Sequence, residues 1–431
     1  MKKFFIKSMG CKANQVEGLV IEQNLLKSGF EKVKNQKDAD FYILNSCSVT
    51  HKSDNEAMYF LRKAHSDGLK TVLTGCIAQI EKEQLLKEPF IDYVFGNDDK
   101  FLMADLLGKC VNFQVADLSE REIFNETVLE TSPKTRISLK IQDGCDNRCA
   151  YCIIPFARGK SRSADSDFVI ERINDYANQG FKEVVLTGIH VGLWRDKDGK
   201  KLFDLMRLID EKTSIKRYRV GSLNPLEITS EMLDYLKNSE KFCQHFHLSL
   251  QSMCDKTLKS MNRFYSVERC LDLIDEISEK MPLAFMGSDI IAGFAGETEE
   301  DFEITVSNLK KSKLSQIHTF PYSIRKGTQA EKMDGHLSDK IKEERAEIIK
   351  KISAEKYEQF VHKNIGTTHN LLIEKHLDKR TGFLKGVTEN YLDVLIENNS
   401  DTSLCNTMQK VKIIKKPSEN EEVLYGVLLN G

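Results

Sequence analysis

Between residues 137 and 322 the chain alternates short apolar runs with helical patterns, and this alternation restricts the available folds more than any other feature. The runs lie at 137–142, 183–187, 217–222, 245–250, 284–291 and 317–322. Helical spacing fills 166–179, 203–211, 229–238, 266–279 and 299–311. Strands that alternate with helices build parallel sheets, because a crossover helix returns the chain to the same edge. Six β/α repeats predict an open or partial barrel. In complete β/α barrels the reactive groups stand at the C-terminal ends of the strands.

A second alternation precedes it. The runs 2–10, 41–46 and 71–75 each lead into a cysteine, Cys11, Cys47 and Cys76. Helical patterns at 14–27 and 53–65 separate them. This predicts a doubly wound parallel sheet, in which ligands bind beyond the carboxyl ends of the strands. All three thiols then belong to one sheet edge. A small buried hydrophobe is the plainer reading of any single cysteine, but three at equivalent topological positions favour a ligand set. Cys110, Cys243, Cys254, Cys270 and Cys405 show no such arrangement and read as structural.

Directly after the first central run comes Lys140-Ile-Gln-Asp-Gly-Cys-Asp-Asn-Arg-Cys-Ala-Tyr-Cys152. Cys145, Cys149 and Cys152 suit three irons of a cubane and leave the fourth open for chemistry, since a fully protein-ligated [4Fe–4S] cluster takes four thiolates. The next cysteine is Cys243. A zinc knuckle short of one ligand is the alternative, although structural zinc sites close with four. Clustered thiols in a long chain without a secretory signal point to metal binding or catalysis rather than disulfides. The N-terminal ten residues are too short and too interrupted by charge for a signal h-region. No run of about 18 apolar residues offers a membrane span.

Cys145-x-x-x-Cys149-x-x-Cys152, with Tyr151 inside it and a six-fold β/α repeat behind it, resembles the radical S-adenosylmethionine superfamily. The preceding triad narrows the resemblance to the methylthiotransferases. Gly10-Cys-Lys-Ala-Asn-Gln15, the stretch from Gln142 to Gly159 and His247-Leu-Ser-Leu-Gln-Ser252 are most similar to the branch acting on N6-threonylcarbamoyladenosine beside the tRNA anticodon. The resemblance implies two [4Fe–4S] clusters. One, on Cys145, Cys149 and Cys152, would bind S-adenosylmethionine and generate the radical that takes hydrogen from carbon 2 of the adenine. The other, on Cys11, Cys47 and Cys76, would carry the sulfur. Such hard chemistry belongs to the cofactor, with the protein supplying binding and orientation. The resemblance further implies S-adenosylmethionine contacts from Tyr151, Thr187, Gly188, Ser222, Gln251 and Gly293. Ala295 and Met253 stand where the family usually has Pro and often has Gly. The partners implied are the anticodon stem-loop of a tRNA, an electron donor such as flavodoxin or ferredoxin, and a sulfur source, all in the cytoplasm and away from membranes. Isopentenyladenosine in tRNA, an aspartate of a ribosomal protein, and a non-catalytic zinc RNA-binding protein are the alternatives.

Beyond about residue 366 short strand patterns at 368–374, 382–387, 391–396 and 407–414 predict a small β-barrel, similar to the RNA-binding TRAM domain. Lys375, Lys379, Arg380, Lys385, Lys410, Lys412, Lys415 and Lys416 are its candidate phosphate contacts. A charged helix at 331–362 leads into it. The formal net charge of −2 across 431 residues leaves no global polyanion footprint, so RNA contacts must be local. Arg158-Gly-Lys160-Ser-Arg162 is a second such candidate, against the plainer reading of a solvated loop. His190, His245, His247 and His318 read as packing or supporting residues. The organisation expected is therefore an α/β doubly wound domain at 1–112, a linker at 113–134, a partial (β/α)6 radical enzyme core at 135–362 and an all-β TRAM-like barrel at 363–431.

Overall fold

The computed structural model describes residues 1–397, 399–415 and 423–429. Strands β1 (Lys3–Ser8), β2 (Glu31–Lys32), β3 (Phe41–Ser46), β4 (Lys70–Gly75), β5 (Tyr93–Phe95) and β6 (Phe113–Gln114) form one sheet in the order β2-β1-β3-β4-β5-β6. Every neighbouring pair is parallel. Helices α1 (Lys12–Lys27), α2 (His51–Ser66), α3 (Cys76–Ile80), α4 (Lys82–Leu85) and α5 (Met103–Gly108) accompany it. Tyr42 and Leu44 pack with Ala57, Leu61 and Ile77 on one face. Phe41 and Ile43 pack with Ile21, Leu25 and Leu106 on the other. A strand buried on both faces needs an unbroken apolar run, which is what β3 supplies.

Residues 113–134, the expected linker, pack against the parts of the chain that they connect. Phe113 and Gln114 are the edge strand β6, while Phe124 and Leu129 are buried in the central core. Gln23 of α1 clamps the segment, donating to the Val128 carbonyl at 3.2 Å and accepting from the Glu130 N–H at 2.8 Å. Isolated apolar residues in a polar stretch carry no periodicity, although here they are buried.

The central strands are β7 (Ile137–Lys140), the short antiparallel pair β8 (Gln142–Asp143) and β9 (Arg162–Ser163), then β10 (Glu183–Thr187), β11 (Arg217–Val220), β12 (His245–Gln251), β13 (Phe285–Ala292) and β14 (Gln316–Pro321). Two parallel sheets, β11-β10-β7 and β12-β13-β14, are joined by the bridges Tyr218↔Phe242 and Leu223↔Leu248. The result is the partial barrel of six parallel strands. Its helices cover the outside through one continuous core that includes Ile137, Val184, Leu205, Ile274 and Ile349.

β15 (Thr368–Ile373), β16 (Leu384–Thr388), β17 (Asp393–Ile396), β18 (Met408–Lys415) and β19 (Leu424–Leu428) close a small barrel in the order β15-β16-β17-β19-β18. It caps the N-terminal ends of the central strands. Arg217 donates to the carbonyls of Asn370 and Val387 at 2.9 and 2.8 Å, and Arg219 to those of Glu389 and Thr388 at 3.1 and 3.2 Å. Glu183 pairs with both arginines. The opposite end of the partial barrel, where the cysteine loop follows β8, stays open to the N-terminal sheet. Among the described residues no helix is long and apolar enough to cross a membrane.

Candidate active site

β1, β3 and β4 are adjacent and parallel, so the loops that follow them share one sheet edge. Cys11 precedes α1, Cys47 follows β3 and Cys76 opens α3. The loops are spaced tightly. Gly10 has φ +79°, and a Cβ there would lie 2.4 Å from the Cys47 Sγ. Gly75 has φ +92°, and a Cβ there would lie 2.3 Å from the Ser46 carbonyl. Glycine alone tolerates both demands. Asn14 knits the edge by donating to the carbonyls of Met9, Asn45 and Ser46 at 2.8, 3.1 and 3.1 Å. Ser46 Oγ donates to the Thr74 carbonyl at 2.6 Å and accepts from the Ile77 N–H at 3.2 Å, which ties in the Cys76 loop. Burial, reinforced by the neighbouring Cys76, pushes the Cys47 thiol up to about 12.

The second triad sits on the loop after β8. Gly144, at φ +70°, lets this loop run against 159–160, where a Cβ would meet the Lys160 carbonyl at 1.9 Å. The Cys145 N–H donates to the Gly159 carbonyl at 3.1 Å, and that of Cys152 to the Cys149 carbonyl at 3.0 Å. Burial pushes the Cys152 thiol up to about 12, with the negative charges of Cys149 and Cys145 adding to it. Two basic side chains face the sulfurs. Arg263 Nη1 donates to Cys149 Sγ at 3.4 Å. His190 Nδ1 lies 3.5 Å from Cys145 Sγ while its Nε2 lies 2.5 Å from Glu227. Burial alone would lower the His190 imidazole, but its bonds to Cys145 and Glu227 prevail and raise it to about 9. His190 is thus a direct neighbour of the triad. Neither residue stands near the cysteines in sequence, so no local motif could have found them.

The positions expected to meet S-adenosylmethionine gather at the same end of the partial barrel. Thr187 ends β10 and Gly188 follows it, Ser222 follows β11, Gln251 ends β12 and Gly293 follows β13. Gln142, which opens the cysteine motif, fixes the mouth. Its Oε1 accepts from the N–H groups of Ile189 and His190 at 3.1 and 2.7 Å, and its Nε2 donates to the Gly144 carbonyl at 2.7 Å. Gln251 holds φ +65° without being glycine, a strained conformation of the kind that clusters at functional sites. Gly293 has φ +74°, and its bare backbone leaves room for Lys342, 2.7 Å from where a Cβ would stand. The Tyr151 ring packs edge-on against Phe294, with centroids 6.4 Å apart. A cavity of about 180 Å³ beside Cys149 is bordered by Asn224, Glu227 and Arg263.

The two cysteine edges meet through direct contacts. α3, which starts at Cys76, packs on α6 (Ile154–Arg158), which starts two residues after Cys152. Asn97 donates to the Ala157 carbonyl at 2.8 Å, and Arg325 donates to Ser48 Oγ at 2.6 Å. The donor sets fit iron–sulfur clusters. Each triad offers three thiols on neighbouring backbone, and basic groups stand ready to stabilise thiolate. Hydrogen bonds to sulfur are a lever on such clusters. Among the described residues no three His, Cys, Asp or Glu side chains converge on a point as ligands of a single metal ion do.

Arg158-Gly-Lys160-Ser-Arg162 does not form a phosphate-binding surface. Arg158 and Arg162 are buried and only Lys160 is exposed, where it pairs with Glu120 at 2.8 Å. Gly159, at φ +72°, turns the chain so that both arginines face inward onto Glu17 and Asp143. A cavity of about 750 Å³ lies instead between α1, residues 129–138 and the C-terminal barrel. Lys12, Lys134, Arg136, Lys375, Lys379 and Lys385 line it, together with Glu374, Asp378 and Asp393. Lys375 is partly engaged over the Phe181 ring at 4.4 Å, and Lys415 pairs with Glu397 at 3.6 Å. Lys379, Lys410 and Lys412 are exposed. Lys416 lies outside the described residues.

Comparison with known proteins agrees with this architecture. Residues 3–96 match the family described as Uncharacterized protein family UPF0004, and residues 139–309 match the Radical SAM superfamily. The chain is 33% identical over 402 residues to the threonylcarbamoyladenosine tRNA methylthiotransferase MtaB of Aquifex aeolicus, covering 91% of this chain and 96% of that one. It is 32% identical to the protein of the same name from Bacillus subtilis, covering 95% and 93%. It is also 34% identical to the tRNA-2-methylthio-N(6)-dimethylallyladenosine synthase of Thermodesulfovibrio yellowstonii, covering 89% and 90%. Among solved structures, the radical S-adenosylmethionine methyltransferase TsrM of Kitasatospora setae shares the fold, with a TM-score of 0.55 at 14% identity over 74% of this chain and 73% of that one. Relatives of this similarity and coverage, together with the barrel and its cysteine loop, show that the chain belongs to the radical S-adenosylmethionine methylthiotransferases.

Proposed function

We propose that this enzyme methylthiolates an adenosine of tRNA, and specifically carbon 2 of N6-threonylcarbamoyladenosine beside the anticodon. The observation that carries the reading is the meeting of two cysteine triads, one on a sheet edge and one at the barrel mouth, in a chain whose relatives include tRNA methylthiotransferases named for that nucleoside. As a radical S-adenosylmethionine enzyme the chain uses S-adenosylmethionine and a [4Fe–4S] cluster. Cys145, Cys149 and Cys152 hold that cluster; Cys11, Cys47 and Cys76 hold a second. The cofactors supply, when bound, homolytic activation of an inert C–H bond and the sulfur to be inserted. Tyr151, Thr187, Gly188, Ser222, Gln251 and Gly293 surround the S-adenosylmethionine. Arg263 and His190 hold the sulfurs of Cys149 and Cys145.

The division into 1–112, 113–134, 135–362 and 363–431 assigns the sulfur-carrying cluster, the connection, the radical chemistry and RNA binding in turn. The basic cleft lined by Lys12, Lys134, Arg136, Lys379 and Lys385 suits the phosphates of an anticodon stem-loop, since such contacts position a nucleic acid without reading its sequence. An electron donor of the flavodoxin or ferredoxin kind and a sulfur source complete the cytoplasmic reaction. The relative named for dimethylallyladenosine, at comparable identity, favours a second reading in which the side chain on N6 is an isopentenyl group. Mass spectrometry of tRNA nucleosides from cells lacking the gene separates the two. Loss of the 2-methylthio form of threonylcarbamoyladenosine is the expected result. Loss confined to the isopentenyl nucleoside would transfer the assignment.

A further inference from the structure

Arg158 is a fully buried side chain whose bonds to protein leave one N–H over. Its Nη1 and Nη2 reach the two oxygens of Glu17 at 2.5 and 2.9 Å, and Nη2 also reaches Asn14 Oδ1 at 3.3 Å. Its Nε–H is buried and has no partner. Buried polar groups are nearly always paired, so an orphan of this kind calls for a specific acceptor. Lys100 and Lys140 also bind Glu17, at 2.5 and 2.7 Å, while Asp143 takes Lys140 at 3.0 Å and Arg162 at 3.4 Å. The buried set thus holds Arg158, Arg162, Lys100 and Lys140 against Glu17 and Asp143, four positive charges against two negative. Asp99, the nearby buried acid, is occupied by Gln114 and the Ala116 N–H instead. A buried excess of positive charge is costly unless an anion faces it.

The N-terminal triad is where that anion belongs. Asn14, which accepts from Arg158, is the residue that knits the backbone around Cys11 and Cys47. The helix that carries Arg158 also packs on α3, which begins at Cys76. That helix, α6, lies directly behind the other triad.

We infer that the buried cluster around Glu17 is the counter-charge of the iron–sulfur centre held by Cys11, Cys47 and Cys76, with Arg158 as a positioning residue that donates its free Nε–H to a sulfur of that centre. The radical-generating segment thereby sets the electrostatics of the sulfur-carrying one. This rests on the reading of Cys11, Cys47 and Cys76 as cluster ligands, which the same experiment tests separately.

The test uses the full chain with Cys145, Cys149 and Cys152 replaced by Ala, reconstituted anaerobically with iron and sulfide, so that only the N-terminal centre can form. Iron and sulfide content and the reduction potential, followed by electron paramagnetic resonance, are measured in this parent and with Arg158→Gln, Arg158→Lys and Glu17→Gln added. The parent should bind about four irons, as one cubane does. Arg158→Gln should move the potential to a more negative value. Arg158→Lys, which keeps the charge but has no Nε–H, should move it less in the same direction. Glu17→Gln should move it to a more positive value, because it removes a negative charge. Disturbed packing would not give shifts of opposite sign. Unchanged potentials, shifts of one sign, or loss of iron from all three variants while the parent keeps it would overturn the inference. A parent that binds no iron would overturn the second cluster itself.

Discussion

Gly10 faces Cys47 across the sheet edge with no room for a single additional carbon, the missing Cβ lying 2.4 Å from both Cβ and Sγ of that cysteine. Its φ of +79° adds a second reason for glycine. Gly10→Ala should therefore displace the Cys47 loop and lower the iron content of the N-terminal centre, while the centre on Cys145, Cys149 and Cys152 stays loaded. Iron analysis of anaerobically prepared protein reads this; full occupancy of both would remove the constraint. The two triads also separate kinetically. Cys145→Ala should abolish all turnover. Cys47→Ala should leave 5′-deoxyadenosine formation intact and eliminate the methylthiolated nucleoside, both followed by mass spectrometry. Normal methylthiolated product from Cys47→Ala would exclude a second cluster at that position.

At the scale of elements much of the fold was legible in the sequence, because buried parallel strands and amphipathic helices leave strong periodic signals. The runs at 41–46 and 183–187 and the helix at 299–311 match β3, β10 and the helix Glu299–Lys311 at both ends. The placement of Cys11, Cys47 and Cys76 on one sheet edge was legible for the same reason, each following a periodic run, whereas Cys145, Cys149 and Cys152 stood out by their local spacing. Elements of two or three residues such as β6, and the strand Leu424–Leu428 that closes the C-terminal barrel, are too short or too ordinary in composition to announce themselves. His190 and Arg263 were invisible as site residues, because folding rather than spacing brings them to the cysteines. Arg158 misled for a related reason, since burial turned a basic motif into an interior charge. The long helix shows what a local signal decides. Its charged pattern begins at 331, yet the helix spans Asp339–Asn364. Gly335, at φ +77°, interrupts the pattern, and the Ser338 side chain accepts from the Ile341 N–H as an N-cap. Ser338→Ala should cost about 1 kcal/mol of helix stability, the usual worth of such a cap. Hydrogen exchange should show lost protection in the first turn and unchanged protection near Ile352.

The whole molecule is held by buried ionic contacts at both ends of the partial barrel, one set toward the N-terminal sheet and one toward the C-terminal barrel. At the second, Glu183 lies between Arg217 and Arg219, whose outer N–H groups reach the carbonyls of residues 370 and 387–389. Burial alone would raise the Glu183 carboxyl, but the two guanidinium groups prevail and hold it at about 2, against an ordinary 4.5. A depressed carboxyl contributes stability that is present above its unfolded value and is lost as pH falls through its folded value. The window here runs from roughly pH 4.5 down to pH 2, and the difference in affinity for the proton corresponds to on the order of 3 kcal/mol. Chemical denaturation of the apoprotein should then show the attachment of the C-terminal barrel weakening across that window. Glu183→Gln removes the proton-linked contribution and leaves two buried guanidinium groups without their carboxylate, a loss that typically costs about 3–5 kcal/mol. The variant should be weaker at neutral pH and lose less on acidification than the parent does. Equal slopes below pH 4.5 in the two proteins would show that Glu183 does not govern the acid sensitivity of this contact.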